Sequence, residues 1–149
     1  MLALLEGSLK VIGRVNQRLG RAPAQTDAQR LGLLGEQAAY FFLRRQGFII
    51  VARRWRYTYL RGEVDLIAWE GDTLTFVEVK TRRANTGVAA EFRIDDAKRK
   101  ALRRMADAYV HQLPWQGRTP SAVNIRFDTV SVYMADEKPV DIRLQRAYL

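Results

Sequence analysis

The sequence contains no cysteine and a single histidine, His111, among its 149 residues. The absence of cysteine excludes disulfide bonds, thiol nucleophiles and cysteine-based zinc clusters, and one histidine cannot by itself form a metal site. Any metal ion must therefore be held by oxygen ligands, and such sites usually take Mg²⁺ or Mn²⁺.

Long apolar runs are also missing. The longest uncharged stretch, residues 108–117, falls well short of the roughly 18 apolar residues that a membrane-spanning helix needs. Residues 1–5 are apolar, but no basic segment precedes them and Glu6 follows, so we expect no secretory signal. The prediction is a cytoplasmic protein without a membrane partner, long enough to fold as one compact domain.

Positive charge is what the sequence has in excess: 25 Lys and Arg against 16 Asp and Glu give a net charge of +9. Residues 80–104 hold nine basic and three acidic residues, and residues 53–61 hold four basic residues and no acidic one, so the excess is local. Arginine predominates, which favours bidentate contacts with phosphate. This clustering predicts a nucleic-acid partner, whereas the alternative is a solvated basic surface.

The apolar pattern divides the chain into an extension, residues 1–30, and one domain, residues 31–149. The extension has leucine and isoleucine at helical spacing and then a Gly- and Pro-containing stretch, which predicts a weak amphipathic helix and a linker. The domain pattern predicts an α-β-β-β-α-β order in an α/β fold, with a further strand as an option. The expected helices are 30–46, which Gly47 ends, and 94–113. The expected strands are 48–57, 63–69, 73–81, 123–133 and 142–148, and 82–93 is expected to be a loop.

Two acidic residues and a lysine are expected to meet on neighbouring strands. Glu78 and Lys80 are two residues apart in the third strand, so their side chains leave the same face. A short hairpin about Gly71 pairs this strand with the one that carries Asp65, which can then approach Glu78. Two close carboxylates repel, and a divalent cation would remove that repulsion, with Lys80 beside the bound water. The alternative is a cross-strand network without metal.

Glu36 is a third acidic candidate. At about 100° per residue, it lies on the first helix in a sector of apolar residues, where an isolated carboxylate is costly to bury. Two interpretations remain open from the pattern alone. Glu36 either interacts with the positive end of its helix, or reaches from the packed helix towards the same metal as Asp65 and Glu78.

These residues, in this order, resemble the PD…(D/E)xK nuclease superfamily, whose restriction-endonuclease-like fold has the same α-β-β-β-α-β core with a mixed central sheet flanked by helices. The closer resemblance is to the uncharacterised bacterial YraN-type family, which is similar to archaeal Holliday-junction resolvases. The matching stretches are Gly35–Leu43, Gly62–Ala68, Phe76–Arg82, the region of Gly87 and Lys98, Arg126–Asp128 and Arg146–Tyr148.

The resemblance implies a role for each acidic residue. Asp65 and Glu78 would ligate Mg²⁺, Glu36 would complete the acidic site, and Lys80 would position or activate the attacking water. The chain departs from the family pattern at three places. Val64 replaces the usual Pro, Arg54 replaces the usual Asn before an aromatic residue, and the ending Arg146-Ala-Tyr148 replaces the more familiar Asn-Ala-Phe. Resolvases of this kind act as dimers, since a junction has two cleavage sites, so a homodimer is also an expectation.

Two functions follow as hypotheses. The first is a metal-dependent endonuclease that hydrolyses phosphodiester bonds, in branched or structured DNA, and the second is a nucleic-acid-binding or scaffolding module without turnover. In both, basic side chains near the acidic residues hold phosphates, and Trp55, Tyr57 and Tyr59 are candidates for base stacking, with strand packing the favoured interpretation for Trp55. The candidate phosphate contacts are Arg54, Arg56, Arg82, Arg83, Lys98 and Arg99.

Overall fold

The structure is a computed structural model, and it describes residues 25–84, 96–114 and 123–147. Within these ranges the chain forms two helices and five strands. Their order is α1 (Asp27–Arg45), β1 (Ile49–Trp55), β2 (Val64–Glu70), β3 (Thr73–Arg83), α2 (Asp96–Gln112), β4 (Asn124–Ala135) and β5 (Lys138–Ala147). The predicted amphipathic helix and most of the linker fall in residues 1–24, outside the described residues.

The strands form one mixed sheet in the order β1-β2-β3-β4-β5. Three neighbouring pairs are antiparallel, and β3 and β4 are parallel over the whole length of β3, from Thr73 opposite Asn124 to Arg83 opposite Met134. A parallel pair needs a crossover connection, and the segment that contains α2 provides it. The prediction of an α/β protein with a mixed sheet is confirmed.

Each face of the sheet is covered by one helix. Leu66, Ala68 and Val77 pack with Ala39 and Leu43 of α1. The intervening residues of the same strands pack on the other side, because successive side chains alternate between the faces of a strand. This second core contains Ile67, Leu74, Phe76, Phe127 and, from α2, Met105, Ala106 and Val110. Both faces of β2 and β3 are therefore buried, and polar groups on them must find partners.

The first helix begins three residues earlier than predicted. Thr26 is its N-cap, and it forms a capping box in which the Thr26 hydroxyl accepts from the Gln29 backbone N–H and the Gln29 side chain accepts from the Thr26 N–H. Such reciprocal bonds satisfy two of the free N–H groups at a helix start. At the other end, Gly47 has φ +91°, which agrees with its predicted role after the helix end.

The predicted start of the last strand, at residue 142, was wrong. The strand begins at Lys138, because a two-residue turn at Asp136 and Glu137 joins β4 directly to β5. Both turn residues have positive φ, 46° and 63°, a backbone that usually selects Gly or Asn in hairpin turns. Asp tolerates this backbone, but Glu137 is not a typical residue for it and no Gly is present, so the turn signal in the sequence is weak. The predicted loop also started too early, because β3 continues to Arg83.

Ion pairs link the ends of three strands. Arg126 of β4 donates to both carboxylate oxygens of Asp128, at 2.8 and 2.7 Å, and its side chain is only 6% exposed. Arg126 also donates to Glu70 at the end of β2, and Arg146 of β5 donates to the same carboxylate. Hydrogen bonds from Arg146 and then Arg126 lower the pKa of Glu70 to about 2, against the opposing effect of burial.

The stability of the protein should depend on the ionisation of Glu70. Its pKa lies below the ordinary 4.5, so its ion pairs stabilise the fold fully above pH 4.5, and this stabilisation is lost as the pH falls towards 2. For a carboxylate with 28% exposure, we expect on the order of 1 to 2 kcal/mol. The free energy of unfolding of Glu70→Gln should therefore lie below wild type at neutral pH and approach it on acidification. A difference that does not change with pH would contradict this.

Among the described residues, no helix is long and apolar enough to cross a membrane.

Candidate metal centre

Asp65 lies where β2 and β3 separate. The antiparallel ladder runs from Glu70 opposite Thr73 to Leu66 opposite Val77 and ends there. Continued by one step, it would place Asp65 opposite Glu78. Instead, the Asp65 side chain turns towards β3, and its Oδ2 accepts a hydrogen bond from the backbone N–H of Val79 at 2.7 Å. The carboxylate thus replaces a ladder bond and is held between the two diverging strands.

We call the point where β2 and β3 separate the fork. The close approach of α1 to β3 brings Glu36 to it. Gly35, the preceding residue, is buried against Thr81, and a Cβ placed on Gly35 would lie 1.8 Å from the Thr81 hydroxyl oxygen. Only a residue without a side chain fits at this contact. The absence of a Cβ lets the helix backbone lie against the strand, and the next residue, Glu36, then points its carboxylate towards Asp65.

Three carboxylates converge at this point. One oxygen each from Glu36, Glu63 and Asp65 lies within 4.8 Å of the other two, and all three residues are partly buried. We call this set the acidic cluster. Glu36 and Asp65 were predicted from the sequence, whereas Glu63 was not predicted as a site residue. The signal was present, because Glu63 is two residues before Asp65 and therefore leaves the same side of an extended chain.

The acidic cluster raises the pKa values of two of its members. Burial, then the nearby charges of Glu78 and Glu63, raise the pKa of Asp65, although the Val79 hydrogen bond opposes the shift. Burial, then the charge of Asp65, raise the pKa of Glu36. Both shifts mean that the ionised carboxylates are held at a free-energy cost in the metal-free protein. A cation among them would reduce this cost.

Two arginines predicted to contact nucleic acid flank the acidic cluster. Arg56 donates from Nε to Glu63 at 2.7 Å, and Arg54 Nε lies 3.5 Å from Glu63 and 3.8 Å from Glu36. These contacts outweigh the effect of burial, so the pKa of Glu63 is lowered. Arg54 has φ +47°, a backbone conformation that is uncommon for a residue with a long side chain. Both side chains are about half exposed or more, at 49% and 70%.

Glu78 and Lys80 lie side by side on β3, as their spacing predicts, and Glu78 also pairs with Lys98 from α2. One oxygen of Glu78 accepts from both lysine Nζ atoms. Burial would raise the pKa of Glu78, but the hydrogen bonds from Lys80 and Lys98 outweigh it and lower the pKa. Glu78 is near enough to Asp65 to influence its pKa, yet it is not one of the three converging carboxylates. In this structure it is the acceptor for two lysines.

The other predicted phosphate contacts lie on the last residues of β3 and the first turn of α2. Arg82 is half-buried in β3, and Arg83 and Arg99 are exposed. Lys98 is also exposed on α2, but its ammonium group is held by Glu78. The basic residues of these two elements thus begin directly next to Glu78 and Lys80. Part of the intervening segment, residues 85–95, lies outside the described residues.

The sequence matches a known protein family. A model of the uncharacterised protein family UPF0102 matches residues 35–132. The chain belongs to this family. A UPF0102 protein of Koribacter versatilis is 42% identical over 127 residues, which cover 85% of each chain. A relative from Nocardia farcinica is 44% identical over 126 residues, or 82% of this chain and 91% of the relative, and one from Dictyoglomus thermophilum is 37% identical over 108 residues, or 72% and 85%.

The UPF0102 match includes the whole site. It begins at Gly35, whose missing side chain admits α1 to the sheet, and it contains the acidic cluster, Glu78, Lys80 and Lys98. Residues 1–24 lie before it. The segment that forms the fork and carries the two lysines therefore lies within the part that these proteins share. The family match assigns no activity to this segment.

Replacing Glu36 by its neutral analogue should stabilise the metal-free protein. Glu36→Gln removes a partly buried charge that is repelled by Asp65 and loses only a 3.8 Å contact with the half-exposed Arg54. In EDTA at neutral pH, we expect the midpoint of thermal unfolding to rise by a few degrees. Glu137→Gln is the matched control, because Glu137 is exposed and pairs with the exposed Arg30. A lower midpoint for Glu36→Gln would show that the carboxylate stabilises the metal-free fold.

Proposed function

We propose that this protein is a divalent-metal-dependent nuclease that hydrolyses phosphodiester bonds in DNA, with a restriction-endonuclease-like fold similar to that of the Holliday-junction resolvases. The observation that supports this most is the acidic cluster at the separation of β2 and β3, next to the Glu78–Lys80 pair. The α/β fold with a mixed sheet and helices on both faces agrees with such a core.

The donor set of the acidic cluster fits Mg²⁺ or Mn²⁺. Glu36, Glu63 and Asp65 offer three carboxylate oxygens and no nitrogen or sulfur ligand, which is the chemistry that these hard cations prefer. The raised pKa values of Glu36 and Asp65 show that negative charge at this point lacks full compensation. Glu78, whose charge raises the pKa of Asp65, would join the set after its contacts with Lys80 and Lys98 rearrange. These four residues would hold the metal.

A bound divalent cation would polarise a phosphate oxygen and make a water molecule more acidic. The side chains around it supply the remaining functions. Asp65 is fixed by the Val79 N–H, so its free carboxylate oxygen has a defined position. Lys80, held beside Glu78, has an ammonium group that can orient the attacking water by donating a hydrogen bond to its oxygen. Partial burial of the three carboxylates restricts their movement.

The phosphate backbone would lie along the basic elements that adjoin the acidic cluster. Arg82 and Arg83 end β3, and Lys98 and Arg99 begin α2, so all four are near the Glu78–Lys80 pair. Arg54 and Arg56 flank the other side of the cluster. Side chains of this kind position nucleic acid through its phosphates and do not read its sequence. The metal site would thus lie between two groups of basic residues.

A second candidate function is nucleic-acid binding without turnover. It is favoured by one observation, that protein cations already neutralise two of the carboxylates. Arg54 and Arg56 contact Glu63, and Lys80 and Lys98 contact Glu78. In such a module the acids would serve to orient basic side chains. Binding should then be independent of divalent metal and weaken with salt, with a slope of about −0.9 per phosphate contact in a log–log plot.

The test of the nuclease is cleavage of DNA by the purified full chain. Linear, nicked and four-way DNA would be incubated with Mg²⁺ or Mn²⁺, and with EDTA as the metal-free control. We expect cleavage with metal that is lost in Asp65→Asn and retained in Asp141→Asn, an exposed acid on β5. Cleavage that persists in Asp65→Asn would refute the assignment of the site. Metal-independent binding with no cleavage of any substrate would favour the second function.

A further inference from the structure

The connection between β1 and β2 carries an aromatic series that leads from the core to the solvent. Trp55 packs edge-on against Tyr109 of α2, with ring centroids 5.2 Å apart. Tyr57 stacks on Trp55 at 6.1 Å with an interplanar angle of 12°, and Tyr59 contacts Tyr57 at 5.5 Å. Tyr59 is 83% exposed. The outermost ring is therefore supported from behind by a packed neighbour, while most of its surface is available.

The same connection forms one wall of an open cavity of about 500 Å³, which is within the range of small-ligand sites. Its lining residues are Arg56, Tyr57, Thr58, Leu60, Gly62 and Glu63. Glu63 is a member of the acidic cluster. The cavity and the cluster thus share a side chain, and a molecule in the cavity would lie next to Glu63.

The chemistry of the cavity and its rim fits a nucleotide. A flat ring is offered by Tyr57 within the cavity and by Tyr59 beside it, and a cation by Arg56, which is 70% exposed. Arg61, also exposed, lies in the same connection. Bases stack on aromatic side chains through their faces, and cations hold the adjoining phosphates. Within a duplex these faces are covered by neighbouring base pairs, so only an unpaired base can stack in this way.

We propose that the β1–β2 connection binds an unpaired nucleotide, with its base on Tyr59 and its backbone passing Arg56 towards the acidic cluster. This inference adds a substrate class to the proposed function, and it rests on that function for the cleavage reaction. It assigns the substrate to nucleic acid with a single-stranded part, such as an overhang, a flap or the unpaired centre of a branch. Blunt, fully paired duplex lacks the group that this surface recognises.

Binding of a fluorescently labelled single-stranded DNA oligonucleotide, measured by anisotropy in EDTA, tests the inference without any cleavage. Tyr59→Ala should weaken binding about 5- to 150-fold, the range for loss of one stacked base. Tyr59→Phe should bind as wild type, because the hydroxyl is not needed for stacking. Binding of a blunt duplex of the same length should change little in either variant. Val140→Ala, at an exposed apolar residue on β5, is the surface control.

Three results would overturn the inference: no binding of the single strand by wild type, equal binding by wild type and Tyr59→Ala, or the same loss on duplex as on single strand. Because Tyr59 is exposed, the thermal midpoint of Tyr59→Ala should match wild type. The result of this binding experiment can also be distinguished from a failure of the nuclease proposal. A protein that cleaves no DNA but loses single-strand binding in Tyr59→Ala refutes the nuclease and retains the nucleotide site.

Discussion

Gly35→Ala should both destabilise the protein and impair its acidic cluster. The new Cβ would lie 1.8 Å from the Thr81 hydroxyl oxygen and 2.7 Å from the other two side-chain carbons of Thr81. Either α1 or Thr81 must then move. Overpacking of this kind costs about 1 to 3 kcal/mol, and the better helix propensity of alanine, about 1 kcal/mol, offsets only part of it. Chemical denaturation at neutral pH would measure the loss.

Two further variants separate the clash from the general effect of the substitution. Gly32→Ala is in the same helix, and a Cβ there meets nothing within 4 Å, so it should stabilise the protein by up to about 1 kcal/mol. Thr81→Ala in the Gly35→Ala background removes two of the three clashing atoms and should recover part of the stability. If Gly35→Ala were as stable as Gly32→Ala, the close contact of α1 with β3 would be refuted.

Asp128→Ala should have the largest effect on stability among the charged residues. It removes the Asp128 carboxylate from the guanidinium of Arg126, which is 6% exposed, while Glu70 still contacts that guanidinium. Removing one partner of a buried ion pair costs about 3 to 5 kcal/mol, because the other charge stays buried. We expect a value near the lower end of this range, since Glu70 still neutralises Arg126. The free energy of unfolding in urea would test it.

Asp141→Ala is the matched control, because Asp141 and Arg143 have the same two-residue spacing on β5 as Arg126 and Asp128 on β4. Arg143 donates to Asp141 at 2.7 Å, but their side chains are 71% and 43% exposed. An exposed pair contributes little to stability, so the unfolding midpoint of Asp141→Ala should match wild type. Similar losses in the two variants would mean that burial does not decide the strength of these pairs.

Local patterns were sufficient to predict most of the secondary structure. Alternating and helical apolar spacing placed α1, β2 and β3 within a few residues of their ends, and Gly47 was placed correctly after α1. The β4–β5 hairpin was missed because Asp136 and Glu137 adopt positive φ without glycine. Asp tolerates such a backbone, but Glu does not favour it, so the local signal for this hairpin was weak.

The acidic cluster was predictable only in part. The antiparallel pairing about Gly71 follows from the sequence, and with it the approach of Asp65 to Glu78. What the sequence did not show is that the ladder ends at Leu66, which frees Asp65 to accept the Val79 N–H. The end of the ladder places Asp65 within reach of Glu63 and Glu36 together. This arrangement depends on how three elements pack, and no spacing along the chain encodes it.

Charge alone also predicted the role of the basic residues only in part. A net positive window shows that cations are present but not which anions they meet in the folded chain. Arg54, Arg56 and Lys98 each contact a carboxylate of the protein. If the protein binds metal and DNA together, these three side chains must exchange protein carboxylates for phosphates. Their contacts would then couple metal binding and DNA binding electrostatically.

Isothermal titration of Mn²⁺ into the metal-free protein tests the central claim most directly, that Glu36, Glu63 and Asp65 form a divalent-cation site. Asp65→Asn and Glu63→Gln would be titrated in parallel, with Glu137→Gln as an exposed control. We predict saturable binding to wild type and to Glu137→Gln, and a loss of at least about tenfold in affinity in the other two, in line with removal of a metal-site contact. Identical isotherms for wild type and Asp65→Asn, or no binding to wild type, would contradict the claim.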